Sequence, residues 1–308
     1  MSGRAVATGR YRIGIDLGGT KISGVVLDDT GARIAERRVA SPQSDYQSTI
    51  EALAEVASAL AAEVAADVSI GIGMPGSLSP VTGLVQNANS TWLNGRPLKS
   101  DLEARLGRPV RLANDANCFA LSEATDGAGA GAAIVFGVII GTGCGGGIVV
   151  NGRLVDGPRG IGGEWGHNPL PWSDANEHPG QTCWCGRPGC METWVSGPGM
   201  AADHLRVTGE ALTAEEIAQR ASTGEATSRA TLDRYASRLG RGLAHVVNLI
   251  DPHVIVLGGG LSQIASLYSA LGHTMQRYIL ADNAHIDIRP PKWGDDSGVR
   301  GAAWLWNE

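Results

Sequence analysis

The sequence predicts an α/β chain of two similar lobes, and three observations carry that prediction. A strand–turn–strand–turn–strand pattern over residues 11–39 returns about 125 residues later. Each copy carries a Gly-rich first turn, Leu17-Gly18-Gly19-Thr20-Lys21 in one and Gly141-Thr142-Gly143-Cys144-Gly145-Gly146-Gly147 in the other. Apolar residues at helical spacing follow both copies, so the lobes mix helix with sheet. A chain of 308 residues has core volume for two such lobes.

Residues 11–15 read as a strand ending at Asp16, with further strands at 22–27 and 33–39 and a tight turn at Asp28-Asp29-Thr30-Gly31 between them. Across residues 48–66, Ile50, Leu53, Ala54, Ala57, Leu60 and Val64 recur at helical spacing, and residues 69–73 suit a buried strand. Residues 77–97 are polar, rich in Asn and Gly and without a period, which predicts a long functional loop or a small hairpin. A short helix at 101–106 and a strand at 109–113 precede Asn114-Asp115-Ala116-Asn117, which opens a helix through Phe119, Leu121 and Ala124. The Gly/Ala segment 126–133 is the expected junction between an N-terminal lobe (1–125) and a C-terminal lobe (126–297). In the second copy, strands at 134–140 and 148–150 flank the turn 141–147, and Asn151-Gly152 signals a hairpin into 153–155. The remainder is mostly helical. Residues 230–250 carry one apolar stripe, 254–257 form an apolar strand that empties into Gly258-Gly259-Gly260, and 261–271 and 298–306 are helical.

A net charge of −6 with no basic run argues against a nucleic-acid surface. No apolar run reaches the ~18–20 residues that span a bilayer. Residues 1–10 are small and polar, without the apolar core of a secretory signal, and read as a loose leader. Five cysteines, three of them clustered, suit a reducing, cytoplasmic setting. Cys118 and Cys144, outside the cluster, are expected as buried small hydrophobes.

Four constellations carry chemistry. The two Gly-rich turns expose backbone N–H groups, with the Thr20 and Thr142 hydroxyls and Lys21 alongside, for phosphate oxygens. Gly141-x-Gly143-x-x-Gly146 formally matches a dinucleotide fingerprint, but a strand and an Asn-Gly hairpin follow where that motif needs a helix. Asp115 reads equally as a helix N-cap and as a general base, with Asn114 able to bond a sugar hydroxyl. Cys183, Cys185 and Cys190, with His167 sixteen residues before the first, supply the ligands of a closed structural Zn²⁺ site. Glu164 and Glu192 bracket that cluster and read either as solvated surface charges or as two carboxylates that, with the imidazole edge, meet a polyol. Trp165, Trp172, Trp184 and Trp194 are expected to pack in the core.

These residues resemble the ROK sugar kinases, which have the actin/hexokinase-like ATPase fold, and the likeness covers nearly the whole chain. The segment 14–21 is similar to the family's first phosphate motif, 141–148 to its second, and 112–117 to its catalytic-base segment. Gly163-Glu164-Trp165-Gly166-His167 and the C-x-C-G-x-x-G-C-x-E run resemble its sugar and zinc signature, and 254–260 its adenosine-side motif. Within the family, the stretches 75–77, 87–95, 166–172 and 296–306 most resemble bacterial fructokinases of the manno(fructo)kinase type. Three zinc cysteines are shared with hexosamine and glucose kinases, so the fructose expectation rests on those other stretches.

The resemblance implies transfer of a phosphoryl group from ATP, with Mg²⁺, to O6 of a hexose, with fructose and also mannose as the expected sugars. Asp115 would be the base, and Asn114, Glu164, His167 and Glu192 sugar contacts. His167 would double as a zinc ligand with Cys183, Cys185 and Cys190. Gly14, Asp16, Gly18, Gly19, Thr20, Lys21, Gly141, Thr142, Gly143, Gly258 and Gly259 would serve ATP and Mg²⁺, with Asp16 reaching the metal through water. The family also implies a homodimer and a terminal helix, 298–308, packed back on the first lobe. Rival readings are a kinase for glucose, N-acetylglucosamine or N-acetylmannosamine, a sugar-responsive repressor and a silent sugar-binding protein. The repressor needs a helix-turn-helix domain, where only about ten residues precede the first strand.

Overall fold

Solid apolar runs punctuated by glycine build most of the strands. The computed structural model describes residues 10–64, 66–282 and 285–307, so all of the expected leader except Arg10 lies outside the described residues. Two compact units emerge, and each has its own sheet and core.

The first unit comprises Met1–Gly131, Gly152–Gly162 and Asp295–Glu308. Tyr11–Leu17 (β1), Lys21–Leu27 (β2) and Arg33–Ala40 (β3) form the antiparallel meander, and β3 is an exposed edge guarded by Arg33, Glu36, Arg37 and Arg38. Tyr46–Ala62 (α1), capped by Asp45, lays Ile50, Leu53, Ala57 and Leu60 on the sheet. Val68–Met74 (β4) pairs parallel with β1. The polar loop then holds a small hairpin, Ser77–Leu78 (β5) with Val85–Gln86 (β6). Leu98–Leu106 (α2) leads to Arg111–Asn114 (β7), parallel to β4, and Asp115–Thr125 (α3) follows, giving the sheet order β3-β2-β1-β4-β7.

The terminal helix, Ser297–Trp304 (α9), packs directly on this sheet. A Cβ on Gly14 of β1 would stand 2.0 Å from Val299 O, and one on Gly71 of β4 1.9 Å from Ala302 O. Glycine is therefore required for the helix to approach. Segment 152–162, with Arg153–Leu154 (β10), falls within the range expected of the second lobe but groups with the first unit. Side-chain bonds explain why: Asn117 Nδ2 donates to Asp156 Oδ1 at 2.8 Å, and Gln86 Nε2 to Arg159 O at 3.1 Å. Residues 126–131 stay with the first unit as well, through the buried Arg300–Asp126 pair.

The second unit comprises Ala132–Asn151 and Gly163–Gly294. Ile134–Ile140 (β8) and Cys144–Val150 (β9) pair antiparallel, and Val254–Gly258 (β11) pairs parallel with β8, as β4 does with β1. Ile288–Arg289 (β12) extends β11, giving the order β9-β8-β11-β12. The helices are Glu192–Val195 (α4), Gly197–Thr208 (α5), Ala214–Ser222 (α6), Ala226–Ile250 (α7) and Ala265–Met275 (α8). Tyr235, Leu239 and Leu243 of α7 are buried against this core, on the stripe expected from the sequence. No helix among the described residues is long and apolar enough to cross a membrane.

Candidate functional site

In the first unit, Asp16 is the penultimate residue of β1, and the chain returns to β2 through a turn in which Gly18 N–H donates to Lys21 O at 3.0 Å. Gly19, Thr20 and Lys21 are exposed, as phosphate contacts must be. Asp16 itself is half-buried. Burial, then the charge of Asp115, push its pKa up to about 6 against the pull of Lys21. Gly73 and Gly298 lie beside its carboxylate: a Cβ on each would be in ordinary contact, 3.5 Å from Oδ1 and 3.7 Å from Cγ, respectively. Gly14, expected among the nucleotide contacts, is instead buried in mid-strand under α9, because the helix needs the space a Cβ would take.

Asn114, and not Asp115, caps α3. Its Oδ1 accepts from Ala116 N at 2.9 Å, making Asn114 the N-cap, while its Nδ2 donates to Gly76 O at 3.0 Å. One lone pair of the amide oxygen remains for a ligand. Asp115 is thereby released from capping. Its side chain is solvent-accessible and Oδ1 accepts from Ala116 N at 2.8 Å. Surrounding protein withholds solvation and raises its pKa, opposed by the Ala116 N–H and the Asn114 amide. Asp16, Asp115 and Asp156 all act on Cys118, which is buried with its pKa pushed up, so it is an inert packing thiol.

In the second unit, the turn at Gly141 is closed by Gly141 N–H donating to Gly143 O at 3.0 Å, with Thr142 exposed. Gly259 (φ 81°) sits against the same strand end, since a Cβ there would stand 2.4 Å from Ile140 O. Gly258, the last residue of β11, is buried. The turn is shorter than the run of glycines suggests, because Gly145, Gly146 and Gly147 lie inside β9. They accommodate the Glu164 segment. Trp165 occupies the space of a Gly146 Cβ, 2.7 Å away, and its Nε1–H donates to Gly145 O at 3.0 Å.

Glu192, the first residue of α4, reaches this turn: Cys144 N–H donates to its Oε2 at 3.1 Å, and a Cβ on Gly143 would stand 2.8 Å from the same oxygen. Glu164 precedes a 3₁₀ turn, Trp165–His167, and is half-buried. The ligand atoms of His167, Cys183, Cys185 and Cys190 all lie within 4.8 Å of one another. Cys183 Sγ is 3.6 Å from His167 Nδ1, and Cys185 Sγ is 3.6 Å from Cys190 Sγ. A tetrahedron with Zn–S of about 2.3 Å and Zn–N of about 2.0–2.1 Å has edges of about 3.6–3.8 Å. The four residues fit zinc, through Nδ1 of the imidazole. Cys144 is buried with its pKa pushed up by burial and by Glu192, and takes no part.

Three features escape the sequence. The loop between His167 and Cys183 is anchored by Glu177, which accepts from Arg238 Nε at 2.8 Å and from Arg241 Nη2 at 2.7 Å. Burial alone would raise Glu177, but these bonds hold its pKa at about 2. Trp165 and Trp194 are core residues as expected, whereas Trp172 and Trp184 are 49% and 62% exposed. Trp184 Nε1–H instead donates to Glu192 Oε1 at 2.6 Å. An indole between two metal-type cysteines was the available signal.

A family model described as "ROK family" matches residues 12–308. A curated relative from Photobacterium profundum, "N-acetyl-D-glucosamine kinase", is 39% identical over 296 residues, covering 95% of this chain and 98% of its own. Among solved structures, the ROK hexokinase from Thermus thermophilus gives a TM-score of 0.84 at 32% identity, covering 96% of this chain and 97% of that one. A ROK family glucokinase from Streptomyces griseus, solved with glucose and AMPPNP, gives 0.77 at 28% identity over 96% and 98%. The chain has this hexokinase-like α/β fold. None of these names is a fructokinase.

Proposed function

The chain belongs to the ROK family, and from that membership we propose that it is an ATP-dependent hexose kinase acting at the 6-hydroxyl. The observation that carries this reading is the release of Asp115 from helix capping by Asn114, which leaves an accessible carboxylate of raised pKa at the end of a strand.

Asp115 accepts the proton of the 6-hydroxyl as O6 attacks the γ-phosphorus. The new O6–P bond forms as the bond to the β-phosphate oxygen breaks and ADP leaves. The Gly18–Lys21 and Gly141–Gly143 turns donate N–H and hydroxyl hydrogens to the phosphates, and Gly258–Gly259 abut the adenosine. Asp16 would hold Mg²⁺, which when bound would neutralise charge on the phosphates. Asn114, Glu164, Glu192 and His167 Nε2 bond the sugar hydroxyls. Zinc on His167 Nδ1 and the three thiolates is structural, since four protein ligands fill its tetrahedron.

N-acetyl-D-glucosamine is the first sugar of this reading, on the strength of the 39% identical relative. Fructose and mannose, favoured by the resemblance of 75–95 and 296–306, form the second arm. A cytoplasmic homodimer completes the reading, and sedimentation reads the dimer. The test is ADP release with N-acetyl-D-glucosamine, N-acetylmannosamine, glucose, mannose and fructose, with the phosphorylated position read by ³¹P NMR. Asp115→Asn lowers kcat by about 10²–10⁴ with sugar still bound. Full kcat in that variant, or no ADP release with any hexose, overturns the reading.

A further inference from the structure

Trp184 is the most exposed of the tryptophans near the metal-type cluster, yet it is held on two sides. A tryptophan 62% open to solvent gains little from burial, and most such rings are unconstrained. Here the indole Nε1–H is 2.6 Å from Glu192 Oε1. The ring also meets the His167 imidazole edge-on, with centroids 4.9 Å apart and planes at 85°. Its backbone is fixed by the knuckle around it, where Gly186 N–H donates to Cys183 O at 2.9 Å and Cys183 N–H to Arg187 O at 2.8 Å.

We propose that Trp184 is a positioning residue that fixes the Glu192 carboxylate for the sugar. This rests on the reading above, in which Glu192 bonds the substrate. The two oxygens of Glu192 are held by different donors: Cys144 N–H, from the strand that ends the second Gly-rich turn, on Oε2, and the Trp184 indole on Oε1. Two donors on opposite oxygens stop rotation of the carboxylate plane, and each oxygen keeps a lone pair for a hydroxyl. The other group near Oε1, Cys183 Sγ at 3.8 Å, would be a thiolate in the zinc-loaded protein and would donate nothing. Loss of the indole N–H therefore frees one end of the carboxylate and leaves its charge in place. The effect falls on sugar binding, because an unfixed carboxylate must be ordered each time a sugar binds.

The experiment uses full-length, zinc-loaded protein and whichever of N-acetyl-D-glucosamine, fructose, mannose and glucose has the highest kcat/KM. Trp184→Phe keeps a ring of similar character and removes the donor. Its sugar KM rises about tenfold, while kcat and the KM for ATP stay within about twofold, a split that a general loss of structure does not produce. Glu192→Ala raises the sugar KM further, and Trp184→Phe added to it changes nothing more, since the two act as one unit. If Glu192→Ala raises the sugar KM and Trp184→Phe leaves it unchanged, the positioning role is wrong and the kinase reading stands. If Glu192→Ala itself leaves sugar KM unchanged, the sugar role of Glu192 fails and the proposal with it. A second measurement covers loss of zinc in the variant: in ¹⁵N-indole-labelled protein, the Trp184 Nε1–H signal shifts in Glu192→Gln. An unmoved signal overturns the proposal.

Discussion

Asp16 offers a test in which function and stability pull in opposite directions. Its carboxyl titrates at about 6 in the folded chain against 3.8 for the unperturbed group, because burial and the neighbouring Asp115 charge disfavour ionisation. A pKa raised on folding stabilises the protein below the unfolded value and loses that contribution as pH rises through the folded one. The window is therefore about pH 4 to 6, and at pH 7.5 the full cost of the ionised carboxylate is present. About 2 units at 1.36 kcal/mol each give an upper figure of about 3 kcal/mol. Asp16→Asn removes the charge and keeps the shape, so the variant is more stable than wild type by about 2–3 kcal/mol at pH 7.5 and by only about 1 kcal/mol at pH 4.5. The same variant loses most kinase activity with Mg-ATP, because the group that orients the hydrated metal is gone. Urea unfolding of both proteins at the two pH values, without nucleotide, reads the difference. Equal stability at pH 7.5, or a less stable variant, refutes the account of Asp16 as a group kept charged at a cost.

Two further outcomes follow from the second unit. Chelation of zinc with a strong chelator raises the sugar KM or unfolds the protein before it changes the phosphoryl step, as read by metal content alongside kinetics; normal sugar binding by folded, zinc-free protein contradicts a structural metal. Glu177→Ala removes the carboxylate shared by Arg238 and Arg241, which are 4% and 6% exposed, leaving Arg238 to Asp203 and Arg241 to the Pro171 and Trp172 carbonyls, and costs about 3 kcal/mol with loss of zinc retention. The Glu177 contribution is full above its ordinary value near 4.5 and is lost as pH falls toward about 2, so acid unfolding of wild type and variant converges there.

Local pattern was a good guide wherever local pattern decides the structure. The meander, its repeat and the stripe of α7 are set by side-chain period, and the knuckle by ligand chemistry at fixed spacing. The failures share one cause: a residue chosen by a neighbour remote in sequence. Gly14 looks like part of a phosphate turn, but it answers to Val299 on a helix near the other end of the chain. Gly145–Gly147 look like loop, yet they are strand, thinned to admit Trp165. Residues 168–182 have no period because their order comes from Arg238 and Arg241, whose stripe reveals only that α7 is buried on one side. The assignment of 152–162 to the first unit depends on Asn117 and Gln86, and no composition shift marks it. Asp115 was legible as a possible helix cap, and only Asn114's bonds show that the cap is its neighbour.

The bond from Cys144 N–H to Glu192 carries a thermodynamic obligation. The strand residue that ends the second Gly-rich turn also holds the Glu192 carboxylate, so on the proposed reading the hexose site and the phosphate turn would share one hydrogen bond. Linkage makes the exchange symmetric: the factor by which sugar changes nucleotide affinity equals the factor by which nucleotide changes sugar affinity. Were that shared bond to couple the two sites, each dissociation constant would be defined only at a stated concentration of the other ligand.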